Sequence, residues 1–361
     1  MFSGNVSGST GGAIAAQASG TLILNNALID SNTAASSGGA MSIGASSIVT
    51  ITSATFSNNT SLATPASGNN NTTGGGAIYL QGAGSTLTLT NVLFKDNAST
   101  SNGGAISASD AATIILNNVS FVGNSAMAGG SGNVANGIYG GALVLTTGGA
   151  VTYNVTSGIS RVAGNTVAGN SSGLYFANNQ SPVFTVNIAA GAELDMVDPT
   201  TSMLANNQTL TINSNGPGLW NLGGTSMFFP NNAGNNAGGN TLLTIAAGTL
   251  HLYRAGEGTT DTDGAFYAAT TGNIDILTNT ASNVTRKSAF NLNSGATLSL
   301  GGGNFIAVYG AITFNPGSTL AYDLAGVANS GIAGLGSTTP PAHPQRPRRH
   351  HHLQLRHRRL L

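Results

Sequence analysis

The chain has 361 residues, of which 52 are Gly, 40% are hydrophobic and only 6% are charged. The apolar share is enough for a core. Gly, Ser, Thr and Asn fill most of the other positions, and because these are mediocre or poor helix formers we expect no long helices. The chain has no Cys, which excludes a disulfide scaffold, a Cys-ligated zinc site and a thiol nucleophile.

The formal net charge of zero hides an uneven distribution of charge. Six of the eleven Lys and Arg residues, and five of the six His residues, lie in 340–361. The rest of the chain carries five basic against eleven acidic residues, a net charge of −6. Because phosphate binding requires clustered Lys and Arg, we expect no nucleic-acid partner. No stretch reaches the roughly 18 apolar residues of a membrane span.

A phrase that recurs at least four times organises residues 1–180. The distance from one Gly-Gly pair to the next alternates between 27 or 28 and 37 residues. An internal repeat of this length predicts a solenoid. Aligned on one aromatic or aliphatic position, the copies share five columns: Leu22, Val49, Leu87 and Ile114; Leu24, Ile51, Leu89 and Leu116; Asn26, Ser53, Asn91 and Asn118; Ile29, Phe56, Phe94 and Phe121; and Asn32, Asn59, Asn97 and Asn124.

The pattern Leu-x-Leu-x-Asn within each unit has a period of two, which is typical of a strand with one buried face. A unit of two or three short strands cannot close its own core, so we expect neighbouring units to stack in parallel, about 4.8 Å apart. The columns then become aliphatic, Phe and Asn ladders, and the Gly pair permits a tight corner. The predicted fold is all-β, a right-handed parallel β-helix. A leucine-rich-repeat horseshoe is the alternative, although its convex side would here be Gly, Ser and Ala.

Three regions are expected along the chain. Residues 1–180 are regular repeats, in which alternate units carry small, polar insertions around 65–71 and 128–136 that we predict to be exposed loops. Residues 181–335 continue the β-helix irregularly, with a bulky excursion at Asn213–Asn240. Residues 336–361 form a disordered basic Arg/His tail, which we interpret as out-of-frame translation. A basic arm for nucleic acid or membrane surfaces and a metal-binding His tract are the alternatives.

Carboxylates that could support catalysis are sparse. Glu193 and Asp195 stand two residues apart, as do Asp261 and Asp263, so each pair shares a face if its segment is a strand. Either pair could hold a cation or act as an acid and a base. However, Glu193 and Asp195 have no basic residue near them in the sequence, and the Asp261–Gly264 segment is also typical of an ordinary turn. The acidic residues are Asp30, Asp96, Asp110, Glu193, Asp195, Asp198, Glu257, Asp261, Asp263, Asp275 and Asp323.

Two further candidates are polar or aromatic side chains of the second half. His251 and Arg254 lie close together without a nucleophile motif, and we interpret them as outer-face side chains. Trp220, the one Trp, is interpreted as a packing residue rather than a sugar platform. We therefore expect no catalytic residue, no metal and no cofactor. A β-helix polysaccharide lyase or hydrolase, which would need carboxylates at a defined separation, is the alternative function.

The alternation of Gly-Gly-Ala-Ile words with Phe-x-x-Asn words over residues 1–180 resembles the chlamydial polymorphic membrane proteins, a group of autotransporters. The Gly-x-Thr-Leu phrases of residues 189–326 look like the middle passenger region of that family. The resemblance implies that the repeated words act in adhesion. The matching positions are Gly38, Gly39, Ala40, Met41, Phe56 and Asn59; Gly75, Gly76, Ala77, Ile78, Phe94 and Asn97; Gly103, Gly104, Ala105, Ile106, Phe121 and Asn124; and Gly140, Gly141, Ala142 and Leu143.

The resemblance implies a secreted passenger at the surface of a Gram-negative-type bacterium. We expect an adhesin or a structural rod in attachment to host cells or other surfaces, with a host-cell surface protein or glycan as partner. The chain contains no outer-membrane barrel of the family's kind, so we expect it to be a fragment that contacts the outer membrane only through such a barrel. An adhesin predicts that swapping the loops at 60–74 and 125–139 abolishes attachment. An enzyme predicts polysaccharide cleavage that stops when Asp261 or Glu193 is replaced, and a spacer predicts neither.

Overall fold

The computed structural model describes residues 1–64, 73–127, 140–146, 148–177, 181–203, 208–227, 240–276, 288–308, 310–322 and 351–352. These residues form strands, turns and bends without any helix, which confirms the all-β prediction. The described part of the chain accordingly has no helix that could cross a membrane. The insertions around 65–71 and 128–136 lie outside the described residues, as does the 336–361 tail apart from two His residues.

The strands are short and follow one another closely. Those of the first half are β1 Phe2–Ser3, β2 Val6–Ser7, β3 Ile14–Ala16, β4 Thr21–Asn25, β5 Leu28–Asp30, β6 Thr33–Ala34, β7 Met41–Ile43, β8 Ile48–Ser57, β9 Thr60–Ser61, β10 Ile78–Leu80, β11 Thr86–Lys95, β12 Ala98–Ser99, β13 Ile106–Ala108, β14 Thr113–Asn117, β15 Ser120–Val122, β16 Ser125–Ala126, β17 Leu143–Leu145, β18 Ala150–Val155, β19 Ile159–Ala163, β20 Thr166–Val167, β21 Asn170–Ser171 and β22 Leu174–Ala177. Those of the second half are β23 Val183–Ile188, β24 Glu193–Met196, β25 Thr201–Met203, β26 Thr209–Asn215, β27 Leu219–Leu222, β28 Thr225–Met227, β29 Asn240–Ile245, β30 Thr249–Leu252, β31 Gly258–Thr260, β32 Phe266–Ala268, β33 Asn273–Ile276, β34 Ala289–Leu292, β35 Thr297–Leu300, β36 Ile306–Val308, β37 Ala311–Phe314, β38 Thr319–Tyr322 and β39 His351–His352.

The strands stack into long sheets of 19, 11 and 7 strands, and β31 and β32 form a separate hairpin. Each strand of a long sheet pairs in parallel with its counterpart one circuit later, as β8 does with β11 and β11 with β14. We call each circuit a coil. In the first half every coil contributes to all three sheets, which rules out the horseshoe. The chain is a parallel β-helix, and its handedness stays a prediction.

The register of the stack places repeat positions directly over one another. Leu87 pairs with Val49 and with Ile114, and Phe94 pairs with Phe56 and with Phe121. The predicted columns are therefore confirmed. Their aliphatic members from Val49 onward are fully buried, and each buried side chain of this size contributes about 1.5–3 kcal/mol of transfer free energy. Stacking thus supplies the core that one unit lacks.

A sharp corner divides the largest sheet into two faces. The column residues Asn26, Ser53, Asn91 and Asn118 all occupy it, with φ between 50° and 53°. Asn tolerates this left-handed conformation better than most residues. The corner fixes the direction of the strand that carries the Phe column and presents its own side chain outward.

The cross-section changes after residue 171. The seven-stranded sheet ends with β21, whereas the other two sheets continue through β38 and β36. The expected excursion at Asn213–Asn240 is wrong for residues 213–227, because these belong to β26, β27 and β28 and pair in register with the next coils. Asn213 and Asn215 alternate with buried residues on β26, so they fill outward positions of the strand. The described excursion is instead the segment that carries β31 and β32.

Candidate functional site

The Gly-Gly pair of each repeat is held between backbone groups of its own coil and the next. Gly38 has a φ of 71°, and a Cβ atom on it would lie 2.2 Å from the carbonyl oxygen of Met41. A Cβ atom on Gly39 would lie 2.0 Å from the carbonyl oxygen of Gly76. Both contacts are closer than any side chain permits, so the pair is required by backbone packing.

The Phe-x-x-Asn word links neighbouring coils in two ways. The rings of Phe56, Phe94 and Phe121 stack with centroids 5.0 Å apart and interplanar angles of 14° and 10°. Asn97 Nδ2 donates to the carbonyl oxygen of Phe56, at 2.9 Å, and to Asn124 Oδ1, at 2.9 Å. The same word therefore supplies an interior ring and the carbonyl that the Asn of the next coil uses.

The Asn column continues beyond the predicted four residues. Asn5 donates to Asn32 at one end. At the other end Asn165 donates through its backbone and side-chain nitrogens to Asp198 Oδ2, at 2.7 and 2.8 Å. Burial raises the pKa of Asp198 to about 6, although hydrogen bonds from Ser171 and Asn165 oppose the shift. We call the column from Asn5 to Asp198 the inner ladder. Sequence reasoning missed Asp198, because a carboxylate replaces the repeated amide.

A polar column runs along the outer face of the second half. Register places Arg161 beside Asp195, Asp195 beside Asn221, and Asn221 beside His251. The Asn221 amide donates to Asp195 Oδ1, at 2.7 Å, and also to Glu193. Tyr253, which begins the excursion, donates its hydroxyl to Asp195 Oδ1 at 2.9 Å.

The Glu193–Asp195 pair therefore does share a face, as predicted. Burial, followed by the neighbouring Asp195 carboxylate, raises the pKa of Glu193 to about 7. Asp195 is only 3% exposed, and Asn221 and Tyr253 satisfy it from within the protein. The arrangement anchors the excursion to the outer face, and it does not present two open carboxylates to a substrate. The hypothesis that the pair acts as an acid and a base gains no geometric support.

His251 and Arg254 lie on the outer side of the coil, as interpreted from the sequence. His251 Nε2 lies 3.3 Å from Glu257 Oε2, and its Nδ1 lies 3.1 Å from Ser299 Oγ. Arg254 donates to Glu257 Oε1 from Nε at 2.8 Å and from Nη2 at 2.6 Å. These contacts brace the start of the excursion. Trp220 is 1% exposed and packs edge-on against Phe184, which confirms it as a packing residue.

The excursion folds back along the rod as a hairpin of β31 and β32. At its tip Asp261 Oδ1 accepts the backbone N–H groups of Asp263 and Ala265, at 3.0 and 2.9 Å. The predicted turn is therefore present. It also contacts a distant coil, because Lys95, 168 residues away, is hydrogen-bonded to Asp263. The Tyr267 ring covers Gly164, where a Cβ atom would meet it at 2.4 Å. The hairpin thus spans several coils.

Residues 53–81 and 91–109 match the model of the Chlamydia polymorphic membrane protein repeat. These two segments are similar to that repeat. The matched segments contain four of the predicted words: the Gly75–Ile78 and Gly103–Ile106 Gly-Gly words and the Phe56–Asn59 and Phe94–Asn97 Phe words. No match was found among curated proteins or among solved structures.

Every polymorphic membrane protein word identified in the sequence lies inside the rod. The Gly, Ala and aliphatic residues of the Gly-Gly words, and the Phe and Asn of the Phe words, are all buried. Their direct role in adhesion stays a prediction, and their side chains are not available at the surface of the folded repeat. The groups that are available are the outer columns, the corners and the hairpin, which carry no repeated word.

Proposed function

We propose that this chain is a segment of a surface-exposed autotransporter passenger and acts as an adhesin or a structural rod in attachment to a host cell or another surface. The repeat match carries the proposal, because the polymorphic membrane protein family is one of outer-membrane and surface proteins. The same family resemblance supports secretion and a position at the outer membrane as parts of the proposal. A β-helix suits such a role, since it presents a long surface on a rigid axis.

The dimensions of the rod support attachment through extended area. The 11-stranded sheet contains ten parallel strands, β3 to β36, stacked along the axis. At about 4.8 Å per strand they span roughly 43 Å. Such a length presents many outward side chains to a partner, and the partner class proposed is a host-cell surface protein or glycan.

The experiment is attachment of beads coated with the purified chain to epithelial cells and to a bare polymer surface. An adhesin is expected to attach the beads to cells, and replacing the insertions 65–71 and 128–136, which leave strands β9 and β16 intact, with Gly-Ser segments tests whether they carry binding. Gly39→Val, which disrupts the corner, is the control for loss of fold. If coated beads attach no better than uncoated beads to any surface, the adhesin function is wrong and the structural rod remains.

The alternative of a polysaccharide-degrading enzyme is tested on the same preparation. Incubation with uronate and neutral polysaccharides, followed by reducing-end assay, is expected to show no cleavage. Cleavage that disappears in Glu193→Gln or Asp261→Asn would establish the enzyme and overturn the proposal.

A further inference from the structure

A cleft with a volume of about 460 Å³ lies between the hairpin tip and the outer face of four consecutive coils. This volume falls within the roughly 300–1,000 Å³ usual for small-ligand sites. The coils contribute residues 53–55 and 91–93 together with Asn118, Ser120, Val122, Ile159 and Arg161, and the tip contributes Asp261 and Thr262. The cleft therefore exists only because the hairpin folds back over coils far from it in sequence.

The floor of the cleft combines aliphatic and hydroxyl groups on one column. Thr55 pairs with Leu93, and Leu93 pairs with Ser120, so these side chains alternate along the axis. Ile159, 42% exposed, extends the aliphatic part. Such a floor can contact the C–H faces of a ring while its hydroxyls meet polar substituents.

Hydrogen-bonding groups of the cleft remain unused by the protein. Asn91 Oδ1 accepts from Asn118, but within the described residues Asn91 Nδ2 and Thr55 Oγ1 make no hydrogen bond. Arg161 donates from Nε to Thr259 Oγ1, at 3.0 Å, and from Nη1 to the carbonyl oxygen of Ile159, at 3.3 Å. Its Nη2 has no partner in the part of the chain described. The hairpin thus orients the guanidinium and leaves its Nη2 without a partner.

The charges around the cleft single out Arg161. Lys95 is paired with Asp261 and Asp263, and Arg254 with Glu257. Of the basic side chains described, Arg161 alone makes no ion pair. Asp261 is occupied: although burial acts against it, backbone hydrogen bonds from Ala265 and Asp263 hold the pKa of its carboxyl below the usual value. The charge of Arg161 also reaches Glu193, whose pKa it acts to lower, but the two groups are too far apart for an ion pair. The unpaired Nη2 of Arg161 is best matched by a carboxylate.

We propose that this cleft binds a carboxylated oligosaccharide, with the carboxylate of one sugar on Arg161 and hydroxyls of the neighbouring sugars on Asn91 and Thr55. The proposal rests on the proposed adhesin function and gives it a ligand class. Sialylated and uronate sugars share the required chemistry. An acidic peptide offers the carboxylate but not the ring that the aliphatic and hydroxyl floor favours.

Calorimetric titration of the full chain with 3′-sialyllactose, trigalacturonate, lactose and maltotriose tests the proposal. At least one carboxylated sugar is expected to bind about tenfold or more tightly than its neutral counterpart. Arg161→Gln should remove that advantage, and Arg161→Lys should keep part of it. Equal affinity for the charged and neutral sugars, no binding of either, or binding of a glutamate-rich peptide alone overturns the proposal.

A matched pair of corner variants tests the position of the ligand. Asn91→Gly keeps the positive φ of the corner and removes the amide, so sugar affinity is expected to fall about two- to tenfold. Asn26→Gly changes the same corner position in a coil outside the cleft and should leave affinity unchanged. Equal losses in both variants overturn the assignment. Thermal unfolding of every variant identifies any that have lost the fold, and if Arg161→Gln is one of them, the comparison of Asn91→Gly with Asn26→Gly carries the test.

Bead attachment separates this proposal from the one on which it rests. If the chain binds no sugar and cell attachment is unchanged in Arg161→Gln and Asn91→Gly, the glycan-binding proposal is wrong and the adhesin proposal stands. If the chain binds the sugar through Arg161 but does not attach to cells, the glycan-binding proposal stands and the adhesin proposal is wrong.

Discussion

The inner ladder leads to a stability prediction for Asn97→Ala. Asn97 is fully buried and takes part in four hydrogen bonds through its side chain. It donates to Phe56 and Asn124, and its Oδ1 accepts from the backbone and side-chain nitrogens of Asn59, at 3.1 and 2.9 Å. Alanine removes all four and offers no replacement.

The expected cost follows from the groups that are left behind. Both Asn59 donors lose their acceptor in a place that water cannot enter, and the Phe56 carbonyl loses a donor. Each buried polar group left unpaired costs about 1–3 kcal/mol. We therefore expect Asn97→Ala to lower the free energy of unfolding by about 3–5 kcal/mol, a large fraction of the stability of an ordinary domain.

An outer Asn column provides a matched control. Asn154 Nδ2 donates to Asn117 Oδ1, at 2.7 Å, and its Oδ1 accepts from Asn187, also at 2.7 Å. These residues are half-buried, so water can replace the lost bonds, and Asn154→Ala should cost less than about 1 kcal/mol. Urea unfolding followed by circular dichroism measures both variants. Equal costs, or a cost below 1 kcal/mol for Asn97→Ala, would refute the argument from buried, unpaired groups.

Three further predictions concern titration and the hairpin. The pKa of Asp198 is raised from 3.8 to about 6, so the protonated carboxyl stabilises the fold fully below pH 3.8, and this stabilisation is lost as the pH rises through 6. Urea unfolding should therefore show that Asp198→Asn has a free energy of unfolding up to about 3 kcal/mol above that of the parent at pH 8 and equal to it at pH 3.5. The pKa of Glu193 is also raised, to about 7, so its ionisation likewise destabilises the fold as the pH rises. Glu193→Gln should reduce the fall in melting temperature between pH 5 and 8, and a fall as steep as that of the parent would contradict this. Gly164→Ala should displace Tyr267 and speed proteolysis of the hairpin. Gly158 has a similar φ of 65° and open space around it, so Gly158→Ala should not speed proteolysis. Equal cleavage rates in the two variants would contradict the contact between Gly164 and Tyr267.

The sequence alone was enough to predict the coil, its columns and its pairing partners. A period of two fixes which side chains face inward, and parallel in-register stacking forces equivalent positions such as Phe94 and Phe121 into contact. The rule fails where the repeat fails. Asp198 completes the inner ladder as a carboxylate, and the Asn-rich composition of 213–227 suggested an excursion where outward Asn side chains merely occupy strand positions.

The candidate cleft was beyond prediction for a related reason. It depends on the contact of Lys95 with Asp263, which joins segments that share no repeated pattern. The residues at the hairpin base were visible as isolated polar positions, Glu193, Asp195 and His251, but periodicity carries no information about which distant loop will cover an outer column. Only the folded chain brings Arg161 beside the tip.

Two kinds of residue therefore carry different information in this rod. The words that define the repeat are buried, and their identities are explained by corner geometry, ring stacking and the amide ladder. A side chain that packs against its own next coil cannot at the same time select an external partner. Specificity must then come from side chains that face outward, and Arg161, Asn91 and the hairpin tip present such side chains. Two rods with identical words and different outer columns should share stability and differ in what they bind.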